Sequence, residues 1–375
     1  MTQLQNRMLD ALPFWMTLVN VPLAVIGTIW GGLWTLMLPA YGVMLVPVLD
    51  RLTGLNEDNA DPETDEADLF WYRAITLIWV PVQFVLLFWI IGYVSLNRHL
   101  GWAELLVLLY GVGIMTGASG IVYAHELMHQ RNRLERWLGD VLLAMVLYSH
   151  FRSEHLLVHH QHVATPRDAV TARYNESFLR YFPRVLRHCP PSAWRAEAAL
   201  LKRRGAGTFD RRNPFWRYGA LQLGMLIMAV VVGGWYGLAL FLAQSLIAIW
   251  MLELTNYVEH YGLTRKYLGR GKFEYVKPHH SWNAAHRVSN WLLINLQRHS
   301  DHHYKPDRRY PLLQTYTEDE APQLPYGYPL MTAMAMVPPL WRRVMNPKVR
   351  HWRRTYYPEI TDWAPYKAGR HDETP

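Results

Sequence analysis

Long apolar runs separated by short polar breaks dominate the first third of the chain. Residues 14–32, 33–49, 74–96 and 103–124 are almost uncharged, with Glu104 at one edge. A further apolar stretch extends from Leu221 to Leu252, and Gly233 and Gly234 stand at its midpoint. A hydrocarbon core about 30 Å thick takes about 20 apolar residues of helix to cross. Lipid cannot satisfy open backbone polar groups, so spans of this kind must be helical. The glycine pair reads as a tight turn that divides the last stretch into 217–232 and 236–256. The pattern therefore predicts an all-α integral membrane protein with six transmembrane helices, four before a polar insert and two after it. Buried helices of a large soluble protein are the competing reading, and the segment lengths count against it.

The polar positions complete this outline. Residues 125–215 and 257–375 belong with the spans to a single domain covering 1–375. The loop Asp50–Asp68 is acidic and reads as flexible chain. The insert Thr165–Pro214 is rich in Arg, with helical patterning around Glu176–Arg187 and Ala193–Arg203. From Pro306 onward the chain is rich in Pro, Tyr and Trp and reads as irregular chain wrapped on a surface. Within it, Tyr328–Trp341 is apolar but too short to span, and Pro338 and Pro339 interrupt it; it is expected to lie at the membrane interface.

Charge sets the orientation. With the N-terminus in the cytoplasm, the outer loops fall near Gly31–Gly32, Asn97–Gly101 and Gly233–Trp235. Of the 38 Lys and Arg, Arg98 alone then lies outside, as the positive-inside tendency expects. No cleavable leader is expected, because Met1–Leu12 is polar and mixed. The formal charge of +8 has two readings, attraction to anionic lipid or docking of an acidic protein. No nucleic-acid-binding motif stands behind it. Cys189 is the one cysteine, so disulfides and four-cysteine iron sites built by this chain alone are excluded.

Against this background the histidines stand out. There are 18, and nine of them fall into three clusters and one single site: His125 and His129 in HELMH, His155, His159 and His160 in EHLLVHH, His260 in NYVEHYG, and His299, His302 and His303 in RHSDHH. The topology above puts all nine on the cytoplasmic side. Histidines at i and i+4 project from one helix face, and neutral imidazole is the commonest metal ligand. HELMH alone matches the zinc-protease pattern with Glu126 as base, but that leaves the other clusters without a purpose. Nine imidazoles exceed what one tetrahedral zinc can use and suit two metals with four or five nitrogens each. Imidazole alone does not choose among Fe, Cu, Ni and Zn. A metal or haem carrier is a further alternative, but the spans themselves lack histidine. Ligating imidazoles usually hand their second N–H to a carboxylate, and Glu126, Glu154, Glu259 and Asp301 are the neighbours placed to accept it. Asp168 and Glu176 are further candidates. His162, His279, His280 and His286 lack a helical partner arrangement and are read as supporting or surface residues.

Taken together, HELMH, EHLLVHH with the following HVATPRDAVTARYNES, NYVEHYGL, KPHHSWN and LQRHSDHH resemble the membrane-bound non-haem di-iron alkane 1-monooxygenases, within the group of membrane desaturases and hydroxylases. The resemblance covers most of the chain. It implies two Fe ions held by the nine histidines, activation of O2, and terminal hydroxylation of an n-alkane. It also implies electrons from rubredoxin and its NAD(P)H-dependent reductase, and residence in the bacterial inner membrane. Gln130 after the first box, Val158 in the second and Tyr304 after the third depart from the usual pattern, and none removes a ligand. HELMH followed by Gln-Arg-Asn is also similar to the xylene monooxygenases, and a fatty-acid hydroxylase or desaturase is the other reading within the group. In some relatives a Trp stands in the place of Ala40; a small residue there leaves room in a substrate channel for medium-to-long alkanes.

Overall fold

A computed structural model describes residues 8–363 and Tyr366. Five helices are long and apolar enough to cross a membrane: α1 (Met8–Trp30), α2 (Gly32–Thr53), α3 (Glu66–Asn97), α4 (Trp102–His129) and, after three helices of the polar insert, the helix Pro214–His260. The first four coincide with the first four apolar runs. The intervening helices are α5 (Arg133–Ala144), α6 (151–162) and α7 (Phe178–Arg203), so Pro214–His260 is α8. At 47 residues, α8 holds roughly 70 Å of helix in total, more than twice a hydrocarbon core, in two arms that meet at a break. Its backbone leaves the helical region at Gly234, with φ 61° and ψ −158°, a conformation that glycine adopts without steric cost. The expected turn is therefore present as a single-residue break.

Polar side chains tie the spans to one another. Tyr123 on α4 donates to Thr17 on α1 at 2.8 Å. Thr116 on α4 donates to Gln244 on α8 at 2.9 Å, and Gln244 donates in turn to the Met145 carbonyl at 2.9 Å. Small residues let α4 approach α8 closely: a Cβ on Gly117 would lie 3.0 Å from the Ala248 carbonyl oxygen. Inside a membrane, such close packing and interhelical hydrogen bonding replace the missing hydrophobic drive.

Beyond the spans come a two-stranded antiparallel hairpin, β1 (Tyr267–Gly269) and β2 (Lys272–Phe273), and the short helices α9 (Arg287–Leu292), α10 (His299–Tyr304) and α11 (Tyr328–Ala335). The last helix is α12 (Pro338–Tyr356).

Three expectations are corrected here. The two helical patches of the insert are one continuous helix, α7, which passes through Pro183, Pro190 and Pro191. Its buried face, including Tyr181, Val185 and Cys189, holds it together by packing. Pro338 and Pro339 do not end an interfacial segment. They occupy the first turn of α12, where the missing N–H costs nothing, and the chain after Pro306 is helical over Tyr328–Ala335 and Pro338–Tyr356 and irregular elsewhere apart from one short turn. The acidic loop after α2 is tied down: Asn56 N–H donates to the Ala285 carbonyl at 2.7 Å, and Arg298 donates to the carbonyl oxygens of Asp58 at 2.9 Å and Asn56 at 3.3 Å.

Candidate metal centre

Four elements bring their ends to one place. His125 and His129 are one α-turn apart at the end of α4, and His260 is the last residue of α8. His299, His302 and His303 line one face of α10, whose start is pinned from outside. Asn283 accepts from the Ser300 N–H at 2.9 Å and donates to the Ser300 hydroxyl at 2.6 Å.

The second box departs from α-geometry. His155–His159 is wound as a π-turn inside α6. In an α-helix His160 would stand about 140° around the axis from His155. The wider turn returns it to the same face, and the two Nε2 atoms lie 3.0 Å apart. The His159 ring stacks beside His155 with centroids 5.2 Å apart, but its nitrogen joins the second group. The expected partnership of His155 with His159 is thus replaced by His155 with His160.

The nine imidazoles separate into two groups. His125, His129, His155 and His302 bring their ring nitrogens within 4.8 Å of one another, as do His159, His260, His299 and His303. His160 joins the first group through contacts at 3.0 Å to His155 and 3.2 Å to His302. In the first group His125 and His155 are 2.9 Å apart; in the second, His299 lies 3.1 Å from His260 and 3.0 Å from His303, all between Nε2 atoms.

These contacts fit metal ions better than a hydrogen-bond network. A ring nitrogen has one in-plane direction for a proton or lone pair, yet His155 Nε2 meets two other Nε2 atoms. A metal–nitrogen bond of about 2.1 Å puts adjacent ligand nitrogens about 3.0 Å apart at 90° and about 3.4 Å apart at the tetrahedral angle. The Nε2 atoms of His129 and His159 are buried with no protein partner among the described residues. Burial pushes His155, His160, His299, His302 and His303 well below the ordinary histidine range. The rings are thus held neutral, the form that ligates metal.

On the outer side, His159 Nδ1 meets Asp168 Oδ2 at 2.9 Å, and His299 Nδ1 lies 3.4 Å from Glu259 Oε1. Burial raises the Asp168 carboxyl, but His159 and hydrogen bonds from Thr171 and Val170 outweigh it and leave it below the usual range. Glu259 lies beside the His299 ring, but neither its Oε1 nor the His299 Nδ1 has a hydrogen-bond partner among the described residues, whereas Asp168, one of the further candidates, meets its ring directly.

The other three carboxylates do not reach a ligand ring. Glu126 accepts from Gln130 at 2.8 Å and lies 3.9 Å from Arg309. Asp301 accepts from Arg308 at 2.6 Å, the Gln314 N–H at 3.0 Å and the Tyr316 hydroxyl at 2.8 Å. Glu154 is buried beside Cys189 and Asp168, and burial raises its carboxyl. The reason is shared: a residue next to a ligand on a helix points about 100° away from it.

His279 and His280 form a separate group with Glu274. The Lys277 N–H donates to His280 Nδ1 at 2.9 Å, so Nε2 carries the proton and donates to the Tyr357 hydroxyl at 2.7 Å. That ring is satisfied by protein, which argues against a third metal.

A cavity opens beside the histidines, with His125, His155 and His299 in its wall. Its lining is otherwise mainly apolar, from Leu38, Tyr41 and Gly42 on α2, Ile114 and Met115 on α4, and Leu292 beyond. Ala40 is not part of the wall; Leu38, Tyr41 and Gly42 hold the places on α2 that face it.

Comparison with known proteins agrees with this geometry. Residues 100–335 match the fatty acid desaturase family. The chain is 37% identical to alkane 1-monooxygenase 2 of Pseudomonas aeruginosa over 93% of its length and 94% of the relative's. It is 40% identical to alkane 1-monooxygenase 1 of the same organism, over 84% of its length and 82% of the relative's. It is also 27% identical to the xylene/toluene monooxygenase hydroxylase component of Pseudomonas putida, over 93% of its length and 91% of the relative's. With its histidine boxes gathered at the ends of apolar helices, the chain belongs to the fatty acid desaturase family and, within it, to the alkane 1-monooxygenases, which are oxidoreductases.

Proposed function

We propose that this chain hydroxylates medium-to-long-chain n-alkanes at a terminal methyl group to give 1-alkanols, with O2 as oxidant, at two iron ions. One iron takes His125, His129, His155, His160 and His302; the other takes His159, His260, His299 and His303. The observation that carries this reading is the pair of converging Nε2 groups in the wall of a mainly apolar cavity. Bound iron would supply the reductive activation of O2, chemistry that no side chain offers to an unactivated C–H bond.

The chain's own residues do the rest. Cavity side chains hold an alkane by burial, at about 0.8 kcal/mol per methylene. Asp168 fixes the orientation and tautomer of the His159 ring from behind. The overall reaction consumes one alkane, one O2, two electrons and two protons, and yields one alkanol and one water. The electrons come from a separate carrier, because this chain has a single cysteine and no nucleotide-binding glycine motif; the resemblance to the alkane 1-monooxygenases makes that carrier rubredoxin with its NAD(P)H-dependent reductase. The protein lies in the bacterial inner membrane with six spans. Its 47-residue α8, broken at Gly234, counts as two of them. This topology puts the metal centre on the cytoplasmic side, within reach of a soluble donor.

The likeness to the xylene/toluene hydroxylase component makes a methyl-substituted arene the second reading. Iron analysis of the purified chain and product analysis with n-dodecane, palmitate and m-xylene test both. Two irons per chain with 1-dodecanol as product is the expected result. One zinc per chain, or turnover of m-xylene alone, would overturn it.

A further inference from the structure

A second pocket shares no lining residue with the first. Four arginines, Arg173, Arg184, Arg265 and Arg353, stand in its lining with the single carboxylate of Asp168, and Glu274 also acts on Arg265 from outside that lining. Two of these charges are accounted for. Arg184 pairs with Glu176 at 2.8 Å. The Asp168 oxygens are taken by His159 at 2.9 Å, the Thr171 hydroxyl at 2.7 Å and the Val170 N–H at 2.9 Å. Among the described residues no carboxylate forms an ion pair with the other three arginines.

Arg265 is the most constrained of them. It is 7% exposed. It spends one N–H on the Gln161 carbonyl oxygen at 2.9 Å, and its Nε–H is buried with no partner among the described residues. Burial pushes it below its ordinary range. Arg353 lies 4.5 Å from the Tyr174 ring and 4.4 Å from the Trp363 ring, and its Nε–H is likewise buried and unpartnered. The Thr264 hydroxyl is a third buried group without a partner. Buried cations are ordinarily paired, because desolvating an isolated charge is costly. The pocket therefore presents donors that no carboxylate among the described residues takes up.

We propose that this pocket binds a phosphate-type oxyanion, held by Arg265, Arg353 and the Thr264 hydroxyl. Guanidinium forks match tetrahedral oxyanions well. The same chemistry is offered by free phosphate and by a phospholipid headgroup. The bound group would join the chain after His260, which carries Arg265, to α12, which carries Arg353. It would also brace the segment that supplies Asp168, since the Arg265 N–H already donates to the Ala164 carbonyl at 2.7 Å.

Thermal melting of the full chain in detergent, titrated with inorganic phosphate against chloride at equal ionic strength, tests this, together with native mass spectrometry of retained lipid. For free phosphate, the melting temperature rises saturably, and Arg265→Gln and Arg353→Gln each weaken the apparent affinity at least tenfold. For a headgroup, phosphate has no effect, but one phospholipid stays bound to the native chain and is lost in both variants. Thr264→Val, a near-isosteric change, keeps the test open should an arginine variant fail to fold. A flat phosphate titration combined with no variant-sensitive phospholipid would overturn the proposal.

Discussion

Asp168 and Glu126 separate two kinds of carboxylate that look alike in sequence. Glu126 sits inside HELMH, yet its side chain turns to Gln130 and Arg309. Asp168 lies nine residues after His159 in irregular chain and reaches its Nδ1. Asp168→Asn should therefore lower metal affinity and activity by roughly 10–100-fold, whereas Glu126→Gln should leave metal stoichiometry unchanged. Metal content after equilibration with graded chelator checks both, and equal losses in the two variants would contradict the assignment. The nine histidines were legible because helical spacing puts ligands on one face without any knowledge of the fold. The carboxylates were not, because which of them meets a ring depends on how separate segments dock. The one available signal for Asp168 was its place in HVATPRDAVTARYNES, directly after the second box.

At the level of elements, the instructive case is the π-turn His155–His159. Regular α-winding of EHLLVHH would turn His160 away from His155; the wider turn returns it and sends His159 to the second group. A periodicity of four residues cannot reveal this, because the winding is decided by packing and not by spacing. Proline has no fixed meaning for helix bounds here. Pro190 and Pro191 sit inside α7, while Pro338 and Pro339 begin α12. The short helix α10 is too brief to be stable alone, so its ligands depend on what pins it. Asn283, buried and bonded to both Ser300 groups, is the main clamp. Asn283→Ala should cost about 1–3 kcal/mol through the unsatisfied groups it leaves, and should lower metal occupancy although it removes no ligand. Asn283→Asp, which can still accept from the Ser300 N–H, should recover most of the occupancy. Metal analysis beside thermal melting decides this; full occupancy in Asn283→Ala would show that α10 is held by other contacts.

For the whole molecule, the burial that readies the ligands also sets its acid sensitivity. His155, His299, His302 and His303 are held below their ordinary range by burial. The unfolded chain would take up protons near pH 6.5 that the folded chain refuses, so stability falls as pH drops below about 6.5, by up to about 1.4 kcal/mol per pH unit for each such histidine. The metal-free protein should lose melting temperature steeply between pH 7 and 5.5, and a constant melting temperature over that range would contradict the burial. If the cavity holds the alkane as proposed, its lining on α2 decides which chains fit, and Gly42 stands in that lining where Ala40 does not. Small residues on α2 were legible as a route to a roomy channel, but which of them faces the channel depends on the π-turn Tyr41–Leu45. Ala40 stands outside the cavity wall, whereas Gly42 is part of it. A Cβ at Gly42 would meet just one neighbour, Ile114 Cγ2 at 3.6 Å, so a larger side chain can enter the cavity without displacing backbone. By contrast, a Cβ at Gly111 would collide with Pro39 at 2.7 Å. Gly42→Leu should therefore shorten the alkanes accepted. Excluding about three methylenes forfeits ~2.4 kcal/mol of burial, or roughly 50-fold in preference between long and short chains. Ala40→Trp should leave the profile nearly unchanged. Competition between n-hexadecane and n-octane, with both alcohols quantified, decides between the two positions: a shift in Ala40→Trp and none in Gly42→Leu would return the channel wall to Ala40.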